Sequence, residues 1–232
     1  MEDLQLGGLR ILRAEGLPGY TTDAVLLADF AAARPGQRVC DLGTGTGILP
    51  LLLIGRERHL TITGVELDAR QADMAARSVQ LNGREDSVRM LQGDLRAIRS
   101  LLPQAAFDLV ICNPPYHKGT GKPETHQAAC TWADVTAAAA WLLRPKGRLC
   151  VCCPAAGMLD MAAAMRGAGI EPKRLRLAAS RADKAPYLCL MEGILGARPG
   201  LRVEPQLTML EEGGAFTREA RRIYHMEDIE PA

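Results

Sequence analysis

The stretch Arg38-Val39-Cys40-Asp41-Leu42-Gly43-Thr44-Gly45-Thr46-Gly47 decides the fold. Arg38–Leu42 reads as a short buried strand, and three alternating glycines then allow a sharp turn into a helix over roughly Gly47–Gly55. Such a turn presents backbone amides to a ligand at the helix N-terminus. The spacing is G-x-G-x-G, which differs from the G-x-G-x-x-G of pyrophosphate-binding folds. No Gly-Lys-Ser/Thr follows, so it is not a P-loop either. An acidic residue just ahead of the turn, Asp41, repels a pyrophosphate and suits a ligand carrying an ammonium group.

Working outward, short β-branched runs alternate with helical patterns, as in repeated βαβ units. Thr61–Leu67 reads as a second strand, followed by a helix over Ala69–Leu81 with Ala72, Ala76 and Val79 on one face. Val88–Gln92 and Phe107–Cys112 are the third and fourth strands, the latter apolar enough to be buried on both faces. A polar stretch, Asn113–Cys130, is too long for a simple connection and reads as either a functional or a disordered loop. A helix from Trp132 to Leu143 is expected to stop at Arg144-Pro145-Lys146-Gly147, ahead of a strand at Leu149–Cys153. Met158, Met161, Ala162 and Met165 mark one more helix face, and Arg174–Leu177 and Leu188–Leu195 read as the last strands, with no crossover helix between them. The expected architecture is α/β: a mostly parallel seven-stranded sheet with helices on both faces and a C-terminal antiparallel unit. Residues 1–37 form an N-terminal cap segment on a domain of residues 38–232, one compact unit overall.

Composition agrees with a globular chain. Of 232 residues, 47% are apolar and 24% charged, enough to bury one sizeable core and too apolar for disorder. The longest uncharged apolar runs, Gly47–Gly55 and Val135–Leu143, are too short to span a bilayer, and no secretory signal is expected after Met1-Glu2-Asp3. The seven cysteines read as small core residues in a reducing cytoplasm, with no metal site expected. Net charge is only +1, but nine basic residues between Arg144 and Lys184 face just Asp160, Glu171 and Asp183. That local excess fits either a polyanion-binding surface or a solvated face.

S-adenosylmethionine has a zwitterionic amino-acid end and a cationic sulfonium. The D-x-G-x-G-x-G turn at Asp41–Gly47 resembles that of class I S-adenosylmethionine-dependent methyltransferases, which have a Rossmann-like fold. Glu66, at the end of the second strand, lies where a carboxylate can accept hydrogen bonds from both ribose hydroxyls. Neighbouring Asp68 reads as the cap of the following helix. The resemblance implies that Asp94, with Leu95, meets the cofactor adenine; a helix cap is the other reading of Asp94.

Asn113-Pro114-Pro115-Tyr116 ends the fourth strand in a rigid turn, because two prolines continue neither strand nor helix. An aromatic or amide nitrogen has a delocalised lone pair and is a poor nucleophile. Two acceptors on its N–H bonds, the Asn113 side-chain oxygen and the Pro114 carbonyl, pull it toward tetrahedral geometry. Pro115 fixes their direction, and Tyr116 can stack on a planar target. The tetrapeptide resembles that of methyltransferases acting on amino groups of adenine and of glutamine.

Gly19–Ala28, Asp41–Gly47, Asn113–Tyr116 and the tail Phe216–Tyr224 together resemble the bacterial tRNA(Val) adenine-N(6) methyltransferase family, which modifies the adenosine 3′ of the anticodon. The resemblance implies S-adenosylmethionine as cofactor, S-adenosylhomocysteine as product and tRNA as substrate. It implies cofactor contacts from Thr22, Asp23, Asp41, Gly43, Thr44, Gly45, Gly47, Glu66, Asp94, Leu95 and Asn113. Where family members carry an Ala-Arg-His-Glu-like stretch, this chain has Ala128-Ala129-Cys130-Thr131-Trp132. Lys118, Lys122 and His126 in that loop either contact RNA or belong to a solvated loop. Trp132 reads as a packed helix start, while Arg174, Arg176, Arg181, Lys184, Arg221 and Arg222 are candidates for holding the tRNA backbone. The expected molecule is cytoplasmic, a monomer or weak homodimer, with no membrane and no metal partner. A protein glutamine-N(5) methyltransferase, a ribosomal guanine-N(2) methyltransferase and an inactive RNA-binding module remain the alternatives.

Overall fold

The structure is a computed structural model that describes residues 1–13, 22–114 and 130–226. A small hairpin of β1 (Glu2–Asp3) and β2 (Arg10–Ile11) precedes α1 (Thr22–Ala31). The alternating segment follows as β3 (Arg38–Leu42), α2 (Ile48–Arg56), β4 (Thr61–Glu66), α3 (Ala69–Leu81) and β5 (Val88–Gln92). It continues through a 3-10 turn at Leu95–Ala97, α4 (Ile98–Leu101), β6 (Phe107–Cys112), α5 (Trp132–Leu142) and β7 (Leu143–Pro154). The last part holds α6 (Met158–Gly167), β8 (Ile170–Ala179), β9 (Leu188–Leu195), β10 (Arg202–Val203), β11 (Leu207–Thr208) and α7 (Arg218–Ile223).

The sheet runs in the order β10-β8-β9-β7-β6-β3-β4-β5, with β11 also beside β8. Strands β3 to β7 are mutually parallel, and β9 lies antiparallel between β7 and β8. The expected seven strands are present, and two-residue strands β10 and β11 add to the β8 edge, which makes nine. From β3 the chain progresses one way to β4 and β5, then returns to place β6 on the other side of β3. The crevice beyond the carboxyl ends of β3 and β6 is therefore a topological switch point, where such sheets bind ligands.

Each central strand is apolar on both sides because each side faces helices. Leu109 and Ile111 of β6 point into a core with α1 and α2, while Val110 and Cys112 point into one with α5 and α6. On α3 the buried positions are Ala72, Met74, Ala75, Ser78 and Val79; Ala76, placed on that face by sequence, is exposed. Met161 and Met165 are buried on α6 as expected.

Two further boundaries differ from expectation. The signal at Arg144–Gly147 ends α5, but the chain enters β7 at once instead of forming a loop. Phe107 pairs with Leu143 and Leu109 with Arg148, so the extra residues form an irregularity in the strand, helped by Lys146 at φ 64°. Strand β8 is also longer than Arg174–Leu177, because its arginines are half-buried against carboxylates and its register shifts between Pro172 and Arg174. Cys40, Cys112, Cys150, Cys152, Cys153 and Cys189 are buried free thiols, and Cys130 is exposed. Cys150 and Cys153 have C-x-x-C spacing, yet the strand alternates them into opposite cores, and no metal-binding group of three ligands occurs among the described residues.

Candidate active site

Strand register assembles the site. Asp41 pairs with Ile111 across β3 and β6, and Glu66 with Gln92 across β4 and β5. Gly43, Glu66, Asp94 and Asn113 thus stand at the carboxyl edge of four adjacent strands, although they are far apart in sequence.

The turn after β3 is held by internal bonds. Gly43 and Thr44 donate their amides to the Val65 carbonyl at 2.9 and 3.1 Å, and Gly47 donates to Thr44 at 3.0 Å. Gly43, Gly45 and Gly47 all have positive φ, at 71°, 57° and 88°, a conformation that side chains with a Cβ rarely adopt. Glu66 Oε2 accepts from the Gly45 amide at 2.8 Å and Oε1 accepts from the Asp68 amide at 3.0 Å. Each oxygen keeps a second lone pair, so the carboxylate is fixed and still able to accept. Gly64 is a contributor that the sequence reading missed. A Cβ there would lie 2.5 Å from the Met90 sulfur and 3.0 Å from Thr44, so only glycine lets β4 support the turn this closely.

Asp41 is fully buried, and neither its two carboxylate oxygens nor the Thr44 hydroxyl has a hydrogen-bond partner. Burial pushes its carboxyl up to about 7; nearby Thr44 draws it back in part without reaching hydrogen-bond geometry, and the charge of Glu66 raises it further. A buried carboxylate is costly unless a cation or donor meets it. These groups fit the ammonium-bearing end of S-adenosylmethionine, and Glu66 fits its ribose.

Asp68 caps α3, accepting from the Arg70 and Gln71 amides at 2.9 Å, as the sequence implies. Asp94 also acts as a cap, accepting from the Arg96 amide at 2.9 Å. The Arg96 guanidinium grips both Asp94 oxygens and holds the carboxyl below its ordinary range. Leu95 follows, half-buried in the 3-10 turn.

Asn113 lies beside β7, where Cys112 pairs with Val151. The next residue, Cys152, donates its thiol to Asn113 Oδ1 at 3.1 Å. Cys152 was expected only as core; the register of two adjacent strands makes it an anchor for the amide, and that register is invisible before the fold is known. Pro114 follows, whereas Pro115, Tyr116, Lys118, Lys122 and His126 lie outside the described residues.

Thr22 and Asp23 open α1, with Asp23 in its first turn. Thr22 interacts with the Tyr224 hydroxyl, and the Asp23 charge raises the phenols of both Tyr224 and Tyr187. Trp132 is packed at the start of α5, which is closed by a capping box between Thr131 and Asp134.

The basic candidates separate into two groups. Arg174 pairs with Glu192 at 3.1 Å and Glu204 at 2.9 Å, Arg176 grips both oxygens of Glu219, and Arg222 both oxygens of Asp29. Their charge is matched by carboxylates within the fold, which corrects the expectation that the whole segment presents free positive charge. Arg181 and Lys184 are exposed; Lys184 meets only Asp183, at 3.3 Å, and Arg181 makes no ion pair among the described residues. Arg221 is half-buried.

Comparison with known proteins agrees with this geometry. The family model "Methyltransferase small domain" matches residues 21–166. A tRNA1(Val) (adenine(37)-N6)-methyltransferase of Tolumonas auensis is 30% identical over 207 residues, 85% of this chain and 84% of that protein. One of the same name from Enterobacter sp. is 36% identical over 57% of each chain. Among solved structures, a predicted O-methyltransferase from Agrobacterium tumefaciens superimposes with a TM-score of 0.76 at 24% identity, covering 88% of this chain and 96% of that one. TrmN from Thermus thermophilus gives 0.55 at 21% identity, over 74% of this chain and 48% of that one. The two structures share the fold. By its match to the family model and to a relative along most of both chains, this protein belongs to the methyltransferase small domain family.

Proposed function

We propose that the protein transfers the methyl group of S-adenosylmethionine to the exocyclic amine of adenine in tRNA, at position 37 of tRNA(Val). The names of the relatives support this substrate. The observation that carries the chemistry is the anchored carboxamide of Asn113, set beside the glycine turn at the switch point.

When bound, S-adenosylmethionine supplies a sulfonium-activated methyl group. Asp41 would meet its amino-acid end, Glu66 its ribose, and the Asp94–Leu95 turn its adenine. Asn113 Oδ1 and the Pro114 carbonyl accept the two N–H bonds of the target amine and turn its lone pair toward the methyl carbon. No strong base is needed at this point: as the N–C bond forms the methyl–sulfur bond breaks to leave a neutral thioether, and the methylated amine, now cationic and acidic, passes its proton to water. The rate then rests on alignment and fixed dipoles. A target adenine in an unpaired anticodon loop is extruded at small cost.

Nucleoside mass spectrometry of tRNA after reaction tests the proposal, with labelled cofactor offered in parallel to a translation release factor. N6-methyladenosine in tRNA(Val) is expected; label in the factor and none in tRNA would overturn the substrate. Asn113→Ala should lose turnover while keeping cofactor affinity, and normal activity in that variant would refute the amine-orienting role.

A further inference from the structure

The chain has only four tyrosines, three phenylalanines and two tryptophans, and three of these rings gather at one place. Phe216 and Tyr224 stack with centroids 5.5 Å apart and planes inclined by 21°. Tyr187 lies within electrostatic reach of this pair: burial, then the charges of Tyr224 and Asp23, push its phenol up to about 12. Tyr224 packs against the core, whereas the other two rings are open to solvent. Phe216 is 39% exposed and Tyr187 41%.

Their position follows from the sheet. Tyr187 donates its amide to the Ala178 carbonyl at 2.9 Å and accepts from the Ala155 amide at 3.1 Å, so it caps the carboxyl ends of β7 and β8. Asn113 stands at that same edge, just past the end of β6, a strand that lies two spacings or about 10 Å from β9. Phe216 is brought there by its bridge to Leu210, whose amide bonds to the Ser180 carbonyl at 2.9 Å. The turn between β8 and β9 that carries Tyr187 also carries Arg181 and Lys184, both exposed.

We infer that Tyr187 and Phe216, with Arg181 and Lys184, form a docking face for unpaired RNA, on which a base flanking the target stacks while the cations meet its phosphates. This rests on tRNA being the substrate. Exposed aromatic rings interleaved with cations are how proteins hold single-stranded nucleic acid, because every base offers a π-face. Trp132 does not serve this role, being packed into the start of α5. The face lies on strands other than the one that ends at Asn113, so it contributes to binding and alignment and takes no part in the transfer.

Two measurements test it. Fluorescence anisotropy of a dye-labelled oligoadenylate, with a blunt RNA duplex as comparison, reads binding without methyl transfer. Steady-state methylation of tRNA reads KM and kcat. The Tyr187→Ala/Phe216→Ala pair should weaken oligoadenylate binding and raise the tRNA KM by roughly tenfold or more, with kcat and cofactor affinity unchanged. Tyr187→Phe/Phe216→Tyr should restore both, since a ring suffices. Wild-type oligoadenylate affinity and KM in the alanine pair would overturn the inference, as would a parallel fall in cofactor affinity, which marks a structural role. If the wild-type protein methylates a protein substrate and not tRNA, the substrate proposal fails; the anisotropy of the same variants still decides the aromatic face by itself.

Discussion

Asp41 is held at a balance point. Its folded carboxyl, at about 7, lies above the ordinary 3.8, so between those values the folded chain keeps a proton that the unfolded chain has lost. The contribution of this group to stability therefore falls as pH rises from about 4 to about 7. A cationic ligand works in the opposite direction, because it favours the ionised form. Calorimetric affinity for S-adenosylmethionine should weaken below pH 7, approaching tenfold per unit, and proton release should accompany binding there. Asp41→Asn should weaken binding and flatten that pH profile. Cys152 acts one step further out, as a positioning residue for Asn113. Cys152→Ala should lower kcat several-fold at an unchanged cofactor Kd, and Cys152→Ser, which keeps a donor, should recover most of it. Equal kcat in all three proteins would show that the thiol only fills space.

At the scale of elements, α1 is fastened to the sheet by charge as well as by packing. Arg148 donates to the Ala31 carbonyl at 2.9 Å while pairing with buried Glu192 at 2.6 Å, and Arg174 pairs with the same carboxylate while lying over the Phe30 ring at 4.4 Å. Asp29 of α1 in turn accepts from Arg56 of α2 and Arg222 of α7. Glu192→Ala would leave the buried Arg148 guanidinium without a carboxylate and Arg174 with Glu204 alone, and should cost about 3–5 kcal/mol in urea denaturation, against little for a change at exposed Arg77, whose pair with Asp73 spans 3.6 Å. This use of charge explains what sequence could and could not reveal. The glycine turn, the strands β3 to β6 and the Asp68 cap were legible because each depends on nearby residues. The length of β8 was not, since arginines in a strand read as solvent-facing until Glu192, Glu204 and Glu219 are brought to them. Cys152 and Gly64 were hidden for the same reason: their partners, Asn113 and Met90 with Thr44, are set by register between strands.

For the whole molecule, the net charge of +1 and the pairing within the fold leave few cations for a polyanion. Arg144 pairs with Asp108 at 2.6 Å and Arg166 with Glu171 at 2.8 Å, in addition to the pairs of Arg148, Arg174 and Arg176. RNA affinity should therefore decline gently with salt, with a log–log slope of about −2, as for two or three phosphates, and not the steep slope of about −6 that the uncompensated segment would give. Titration from low to moderate salt distinguishes the two. The placement of Asp41–Gly47 and Asn113 on hydrogen-bonded neighbours of one sheet has a last consequence. Donor pocket and acceptor clamp cannot drift apart while the β3–β6 ladder survives, so heating should leave no window in which the protein is still folded but already inert. Residual turnover and the circular-dichroism melting curve should disappear together.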